Sequence, residues 1–131
     1  IQQFDFIITN PPFYENDLKT DNAQKNAAHH STLLNLDELI DCIKNLLTSN
    51  GFFTILLPYS RTDYFLQSAK DFHLVERVNV KQTANHNYFR SMLLFSKQTC
   101  KTVEKGIIIK QNEKEYSTEF IQLLKDYYLY L

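Results

Sequence analysis

The spacing of apolar and polar residues near the start of the chain predicts a strand, a helix and a second strand. Phe4 to Thr9 is a short β-branched and aromatic run with apolar side chains on both parities, typical of a central parallel strand covered on both faces. Leu36 to Leu47 has apolar residues at helical spacing, and Asn35 and Glu38 form a predicted capping box. Phe52 to Leu57 is an unbroken apolar run that predicts a second buried strand. This order indicates a βαβ unit.

The second half of the chain alternates helical and strand patterns again. The predicted elements are a helix opened by Ser60 and Asp63 and ending near Phe72, strands over Leu74 to Val80 and Ser91 to Phe95, a short strand over Ile107 to Ile109, and a closing helix from Ser117 to Tyr128. The two middle strands are expected to pair antiparallel. At helical spacing, Tyr127 and Tyr128 are expected to pack on the sheet; the alternative is that they stack on bases. The fold class indicated is α/β.

Composition limits the domain count and excludes several functions. A chain of 131 residues with 44% hydrophobic and 22% charged residues has enough apolar material for the core of one domain. Its two glycines, Gly51 and Gly106, are too far apart to form a dinucleotide fingerprint or a P-loop. The formal net charge of −1 gives no overall field for polyanions, so nucleic-acid binding must be argued from local features.

Cysteines, hydropathy and histidines point to a cytoplasmic protein without a metal. Cys42 and Cys100 show no CxxC spacing, so reduced thiols are expected. No apolar run approaches the roughly 20 residues that cross a bilayer, so no membrane segment is expected. Residues 14 to 33 are expected to form a long polar loop. His29 and His30 within it have no acidic or cysteine partner at ligand spacing, which favours solvated histidines over metal ligands.

The run Asn10-Pro11-Pro12-Phe13 after the first strand carries the strongest chemical signal. An aryl or amide nitrogen is a poor nucleophile because its lone pair is delocalised, and acceptors on its N–H groups draw that pair out of conjugation. The Asn10 side-chain oxygen and the Pro11 carbonyl are two such acceptors. Two prolines fix the backbone before substrate arrives. Phe13 offers a flat face on which an extruded base can stack. The alternative is a strand-ending turn with a buried Phe.

These residues resemble motif IV of the S-adenosylmethionine-dependent methyltransferases that modify exocyclic or amide nitrogens. RNA adenine, DNA adenine, rRNA guanine and protein glutamine methyltransferases all use similar turns, so the motif alone leaves the substrate open. A wider match is more selective. Ala28-His29-His30-Ser31, Gly51-Phe52-Phe53, the run from Phe89 to Lys97 and the chain's end all resemble the C-terminal half of the bacterial tRNA1(Val) (adenine-N6)-methyltransferases.

The resemblance implies a fold, a cofactor, a partner and site residues. It implies strands four to seven of a Rossmann-like class I methyltransferase sheet, ordered 3-2-1-4-5-7-6, and N6 methylation of the adenine immediately 3′ of the anticodon in tRNA. Asn10, Pro11, Pro12 and Phe13 would be the catalytic turn, and Asn10 would also contact S-adenosylmethionine. His30 and Arg90 lie where this family tends to carry His and Arg, and they are candidate substrate contacts. Arg61, expected at the ligand-binding edge of the sheet, is either a phosphate contact or a surface residue.

The resemblance also implies that residues 1–131 are the C-terminal catalytic portion of a methyltransferase domain whose N-terminal cofactor-binding half is absent. The glycine-rich cofactor loop and the acidic ribose-binding residue of the family are not in this sequence. The first strand would then be an exposed edge, so an isolated chain is expected to be inactive and to be unstable or to self-associate. The alternatives are a protein glutamine N5- or rRNA guanine N2-methyltransferase with the same turn, and a non-catalytic RNA- or partner-binding module.

Overall fold

A computed structural model describes residues 1–12 and 35–131. Within these ranges the elements are β1 (Phe4–Thr9), α1 (Leu36–Leu46), β2 (Leu47–Pro58), a 3-10 helix (Tyr59–Arg61), α2 (Thr62–Ser68), β3 (His73–Lys81), β4 (Tyr88–Ser96), β5 (Val103–Ile108) and α3 (Thr118–Leu124). The predicted polar loop, residues 14 to 33, lies outside the described residues. Among those residues, no helix is long and apolar enough to cross a membrane.

The strands form one five-stranded sheet in the order β1-β2-β4-β3-β5. β1 pairs parallel with β2, and β3 pairs parallel with β5, whereas β4 runs antiparallel to both β2 and β3. The predicted antiparallel pair is therefore confirmed. Because only β4 is reversed, β1, β2, β3 and β5 all end at the same edge of the sheet, where β4 begins. We call this edge the carboxyl edge.

One face of the sheet carries the core. Phe53, Ile55 and Leu57 of β2 and Leu93 and Phe95 of β4 are buried there. The helices α1 and α2 cover this face, each with a buried apolar residue in the same cluster. The rings of Phe53 and Phe95 stack with centroids 4.8 Å apart and an interplanar angle of 12°. Aromatic pairs of this kind add about 0.5–1.5 kcal/mol beyond the burial of their area.

Polar side chains close the ends of the helices. The Asn35 side chain accepts a hydrogen bond from the Asp37 N–H at 3.0 Å, so Asn35 caps α1 as predicted, through Asp37 and not through Glu38. At the other end of α1, the Lys97 ammonium donates to the Leu47 carbonyl at 2.6 Å, where a cation favours the helix dipole. The Ser117 hydroxyl accepts from the Phe120 N–H at 3.1 Å and begins α3.

The opposite face of the sheet is uncovered among the described residues and is largely apolar. It presents Phe6, Ile8, Phe52, Leu56, Met92 and Leu94, a set we call the open face. Phe6 is 52% exposed and Ile8 is 76% exposed. The prediction that β1 is covered on both faces is therefore wrong for the described residues. The apolar residues of a strand show that the strand can be buried. They do not show whether another layer of the protein covers it.

Other element boundaries differ from those predicted. β2 begins at Leu47, directly after α1, instead of at Phe52. Neither Ser60 nor Asp63 caps α2, which follows a 3-10 turn and ends at Ser68. The fifth strand is longer than predicted, and α3 ends at Leu124. Tyr127, expected to pack on the sheet, lies beyond α3 and is 83% exposed.

Candidate active site

The turn Asn10-Pro11-Pro12 directly follows β1 and lies at the carboxyl edge of the sheet. The strand ends at Thr9, because Pro11 and Pro12 have no N–H to continue a ladder. Asn10 is exposed, Pro11 is buried and Pro12 is exposed. The buried ring of Pro11 fixes the turn to the protein, while the exposed Asn10 amide is accessible to a ligand. Phe13, the fourth residue of the predicted catalytic turn, lies outside the described residues, as does His30.

The two remaining predicted site residues lie at the same edge. Arg61 ends the 3-10 helix that follows β2, and it is exposed. Arg90 of β4 lies opposite Pro58, while Thr9 of β1 lies opposite Ile55. With strands about 4.8 Å apart and a rise of about 3.3 Å per residue, this register puts the Cα atoms of Asn10 and Arg90 about 12 Å apart. The fold therefore brings Asn10, Arg61 and Arg90 to one edge of the sheet.

A group of aromatic and cationic side chains at this edge was not predicted as a unit. The rings of Tyr59 and Tyr88 lie 5.4 Å apart between centroids. The Arg77 guanidinium carbon lies 5.6 Å from the centre of the Tyr59 ring, and the Lys81 nitrogen lies 4.9 Å from the centre of the Tyr88 ring. We call these four residues the aromatic-cation cluster. The signal in the sequence was a tyrosine directly after one strand, Tyr59, and a second tyrosine at the start of another strand, Tyr88.

Asp5 of β1 has a hydrogen-bond partner within the fold, since the Thr48 hydroxyl donates to its carboxylate at 2.9 Å. In residues 1–12 and 35–131, no group of His, Cys, Asp and Glu side chains is arranged to hold a metal ion.

The glycines test whether this chain alone fits a nucleotide cofactor. A Cβ added at Gly51 would lie 2.7 Å from Leu47 Cδ1, and one at Gly106 would lie 3.2 Å from the Tyr88 hydroxyl. Both glycines therefore make room for the chain's own side chains and do not form a cradle for a phosphate or ribose. Neither glycine of the described residues therefore marks a nucleotide-binding loop.

The open face carries a groove of ≈ 490 Å³ whose lining includes Ile8, Asn10, Leu56, Val78 and Met92. The groove runs across the sheet and reaches the candidate turn at Asn10. Its lining is mainly aliphatic, and Glu76 is the charged side chain within it. An apolar groove on an uncovered sheet face is better suited to another protein element than to a charged nucleotide.

The strand order defines the fold class. The order β1-β2-β4-β3, with only β4 reversed, is the order 4-5-7-6 expected for the C-terminal half of a Rossmann-like class I methyltransferase fold. A predicted O-methyltransferase from Agrobacterium tumefaciens has this fold, with a TM-score of 0.67 and 11% identity over 94% of this chain and 51% of that chain. A complex of M1.HpyAVI with SAM matches with a TM-score of 0.51 and 16% identity, over 95% of this chain and 66% of that chain.

The sequence is similar to bacterial tRNA1(Val) (adenine(37)-N6)-methyltransferases over nearly its whole length, which confirms the resemblance. The protein of that name from Pseudoalteromonas translucida is 35% identical over 98% of this chain and 56% of its own length. Those from Proteus mirabilis and Flavobacterium psychrophilum are each 32% identical, over 98% and 97% of this chain. The chain spans about half the length of these relatives, 53% to 56%. No protein-family model matches it.

Proposed function

We propose that this chain is the catalytic portion of a methyltransferase that methylates the N6 atom of adenine in tRNA. The observation that carries the proposal is the position of Asn10-Pro11-Pro12 at the carboxyl end of β1, in the fold of a class I methyltransferase. The names of the relatives support a tRNA adenine as the substrate. A tRNA substrate would place the reaction in the cytoplasm.

The turn would act by accepting hydrogen bonds. The Asn10 side-chain oxygen and the Pro11 carbonyl would each accept one hydrogen of the adenine amino group, which localises the nitrogen lone pair. Phe13 would stack on the base, and His30, Arg61 and Arg90 would contact the RNA. S-adenosylmethionine supplies the methyl group in this class of enzyme. The N6 proton can leave after transfer because the methylated nitrogen is acidic, so the mechanism requires no strong general base.

A second part of the proposal concerns the rest of the enzyme. Residues 1–131 would form the C-terminal part of the domain, and a preceding cofactor-binding half would pack on the open face and beside β1. The support is the uncovered apolar face, the groove that crosses it, and the greater length of the relatives. The self-association expected for the isolated chain would instead use the exposed edge of β1, which the same half would cover.

The test measures methyl transfer by the complete protein that carries this chain. Asn10→Ala removes one acceptor and is expected to lower kcat by roughly 100- to 1,000-fold, by analogy with the loss of one preorganised oxyanion-hole contact. Asn10→Asp keeps an oxygen acceptor at the same place and should lose much less. Asn45→Ala is the control, since Asn45 is an exposed residue on α1.

The acceptor substrate is tested separately with labelled S-adenosylmethionine. Label in the N6 position of tRNA adenine is the expected result. Label only in rRNA guanine or only in a release-factor glutamine would replace the substrate assignment and keep the role of Asn10. Wild-type activity in Asn10→Ala would overturn the mechanism, and absence of transfer by the wild-type protein would favour the non-catalytic module.

A further inference from the structure

We propose that the aromatic-cation cluster of Tyr59, Tyr88, Arg77 and Lys81 binds the unpaired RNA strand next to the reacting base. This inference rests on the proposed function and adds a binding surface to it. The four side chains form a continuous series, in which Arg77 lies over Tyr59, Tyr59 packs on Tyr88, and Lys81 lies over Tyr88. Aromatic faces that stack on bases, together with cations that contact phosphates, are the usual means of binding single strands.

The cluster is held in place by the residues beneath it. The Arg77 Nε donates to the Asn79 side-chain oxygen at 3.0 Å, and the Ser91 hydroxyl donates to the same oxygen at 2.8 Å. Asn79 and Ser91 are both buried, so Arg77 is anchored at one end by a fixed acceptor. Gly106 of β5 leaves the space that the Tyr88 hydroxyl occupies. An arrangement that is already ordered loses less entropy when a ligand binds.

Further cation and aromatic pairs lie at the same edge. Arg90 lies 5.4 Å from the centre of the Phe89 ring, and Lys110 lies 5.9 Å from that of Tyr116. The part of the chain that the structure describes thus has four such pairs, all at the carboxyl edge. Cationic side chains and aromatic rings are therefore grouped along this edge.

The position of the cluster suits a strand that also enters the active site. Tyr59 directly follows Pro58, which lies opposite Arg90. By the strand register, the Cα atoms of Arg90 and Asn10 lie about 12 Å apart. Tyr59 is 38% exposed, so part of its side chain is accessible to solvent. A base extruded toward Asn10 would have its neighbouring nucleotides within reach of these rings. The flanking positive charges favour a phosphate backbone over a neutral peptide.

The experiment compares tRNA binding and kinetics of the complete enzyme with three variants. Tyr59→Leu keeps an apolar side chain but removes the ring, and it is expected to raise the Kd and KM for tRNA by roughly 5- to 150-fold. Tyr59→Phe keeps the ring and should bind nearly as the wild type does. Lys81→Gln should weaken binding and reduce the slope of log K against log salt by about 1. Loss of uniform binding leaves kcat at saturating tRNA little changed.

The controls separate this surface from a purely structural role and from the proposed function. Lys101→Gln removes an exposed cation before β5, at the opposite edge, and should leave the KM unchanged. Unchanged Kd, KM and salt slope in Tyr59→Leu and Lys81→Gln, with methyl transfer to RNA intact, would overturn the inference alone. Equal losses in Tyr59→Phe and Tyr59→Leu would also overturn it. Transfer to protein only by the wild-type enzyme would overturn the RNA function together with it.

Discussion

Thr62, the first residue of α2, places a hydroxyl group in the core without a hydrogen-bond partner among the described residues. Its side chain is fully buried. An unsatisfied buried polar group costs about 1–3 kcal/mol, whereas valine has nearly the same shape and no polar atom. We therefore expect Thr62→Val to raise the free energy of unfolding of the complete protein by about 1 kcal/mol.

The measurement for Thr62→Val is the midpoint of urea unfolding at constant slope. Thr118→Val is the matched control, because Thr118 is likewise the first residue of a helix but is exposed. Its effect should stay within about 0.5 kcal/mol. A lower midpoint for Thr62→Val would mean that the hydroxyl has a partner outside the described residues.

At the same scale, the candidate catalytic turn could be identified from the sequence, whereas the aromatic-cation cluster could not. Asn10, Pro11 and Pro12 are consecutive, so the turn that they form can be identified from the sequence before the fold is known. Tyr59 and Arg77 are far apart in the chain and meet only because β2 and β3 both flank β4. Contacts that depend on strand order across a sheet leave no local signal.

An ion pair joins α1 to the segment after α2. The Lys44 ammonium donates to the Asp71 carboxylate, and both side chains are exposed. This hydrogen bond and the charge of Lys44 lower the pKa of Asp71 from its ordinary value of 3.8. The same contact raises the pKa of Lys44 from its ordinary value of 10.5. Exposed pairs contribute little to stability, so the expected effect is small.

The direction of both shifts sets the pH range in which this pair stabilises the fold. The stabilisation by this pair is present above pH 3.8 and is lost as the pH falls through the lowered pKa of Asp71. At the alkaline end, the stabilisation is present below pH 10.5 and is lost as the pH rises through the raised pKa of Lys44. Asp71→Asn should slightly lower the thermal midpoint at pH 7 and low salt. The difference from wild type should vanish in acid, whereas a constant difference would contradict the ion-pair explanation. Asp126→Asn, at an exposed position beyond α3, is the control.

Element types were predictable because each depends on a local period. The helical spacing of residues 36–47 and the short apolar runs of residues 4–9 and 52–57 predicted a helix and two strands that the structure contains. Element ends were less predictable. Leu47 was assigned to the helix but begins β2, where its fully buried side chain packs against Gly51. Tyr127 fits a helical period, yet the helix ends before it, because a matching period does not provide a surface on which to pack.

On the scale of the whole molecule, the two faces of the sheet differ in a way that calls for a second layer. The helix-covered face has Phe53, Leu57 and Phe95 at essentially zero exposure. The open face has large apolar side chains at 39% exposure or more, including Phe6, Ile8 and Met92. Soluble proteins rarely leave a contiguous apolar patch of this kind uncovered. The proposed cofactor-binding half is the occupant that the length of the relatives supports.

A charge on the open face tests that arrangement in the complete protein. Met92 lies near the middle of the face on β4, opposite Leu56 and Val78. If the other half covers it, Met92→Lys places an unpaired ammonium in an apolar interface and should cost about 3 kcal/mol or more in unfolding free energy, with loss of methyl transfer. Leu123→Lys on α3 is the control, because Leu123 is 52% exposed and belongs to neither face. Equal, small effects of the two substitutions would show that the face is open to solvent. A concentration-dependent dimer of the wild-type protein that Met92→Lys converts to an active monomer would instead assign the face to a second copy of the chain.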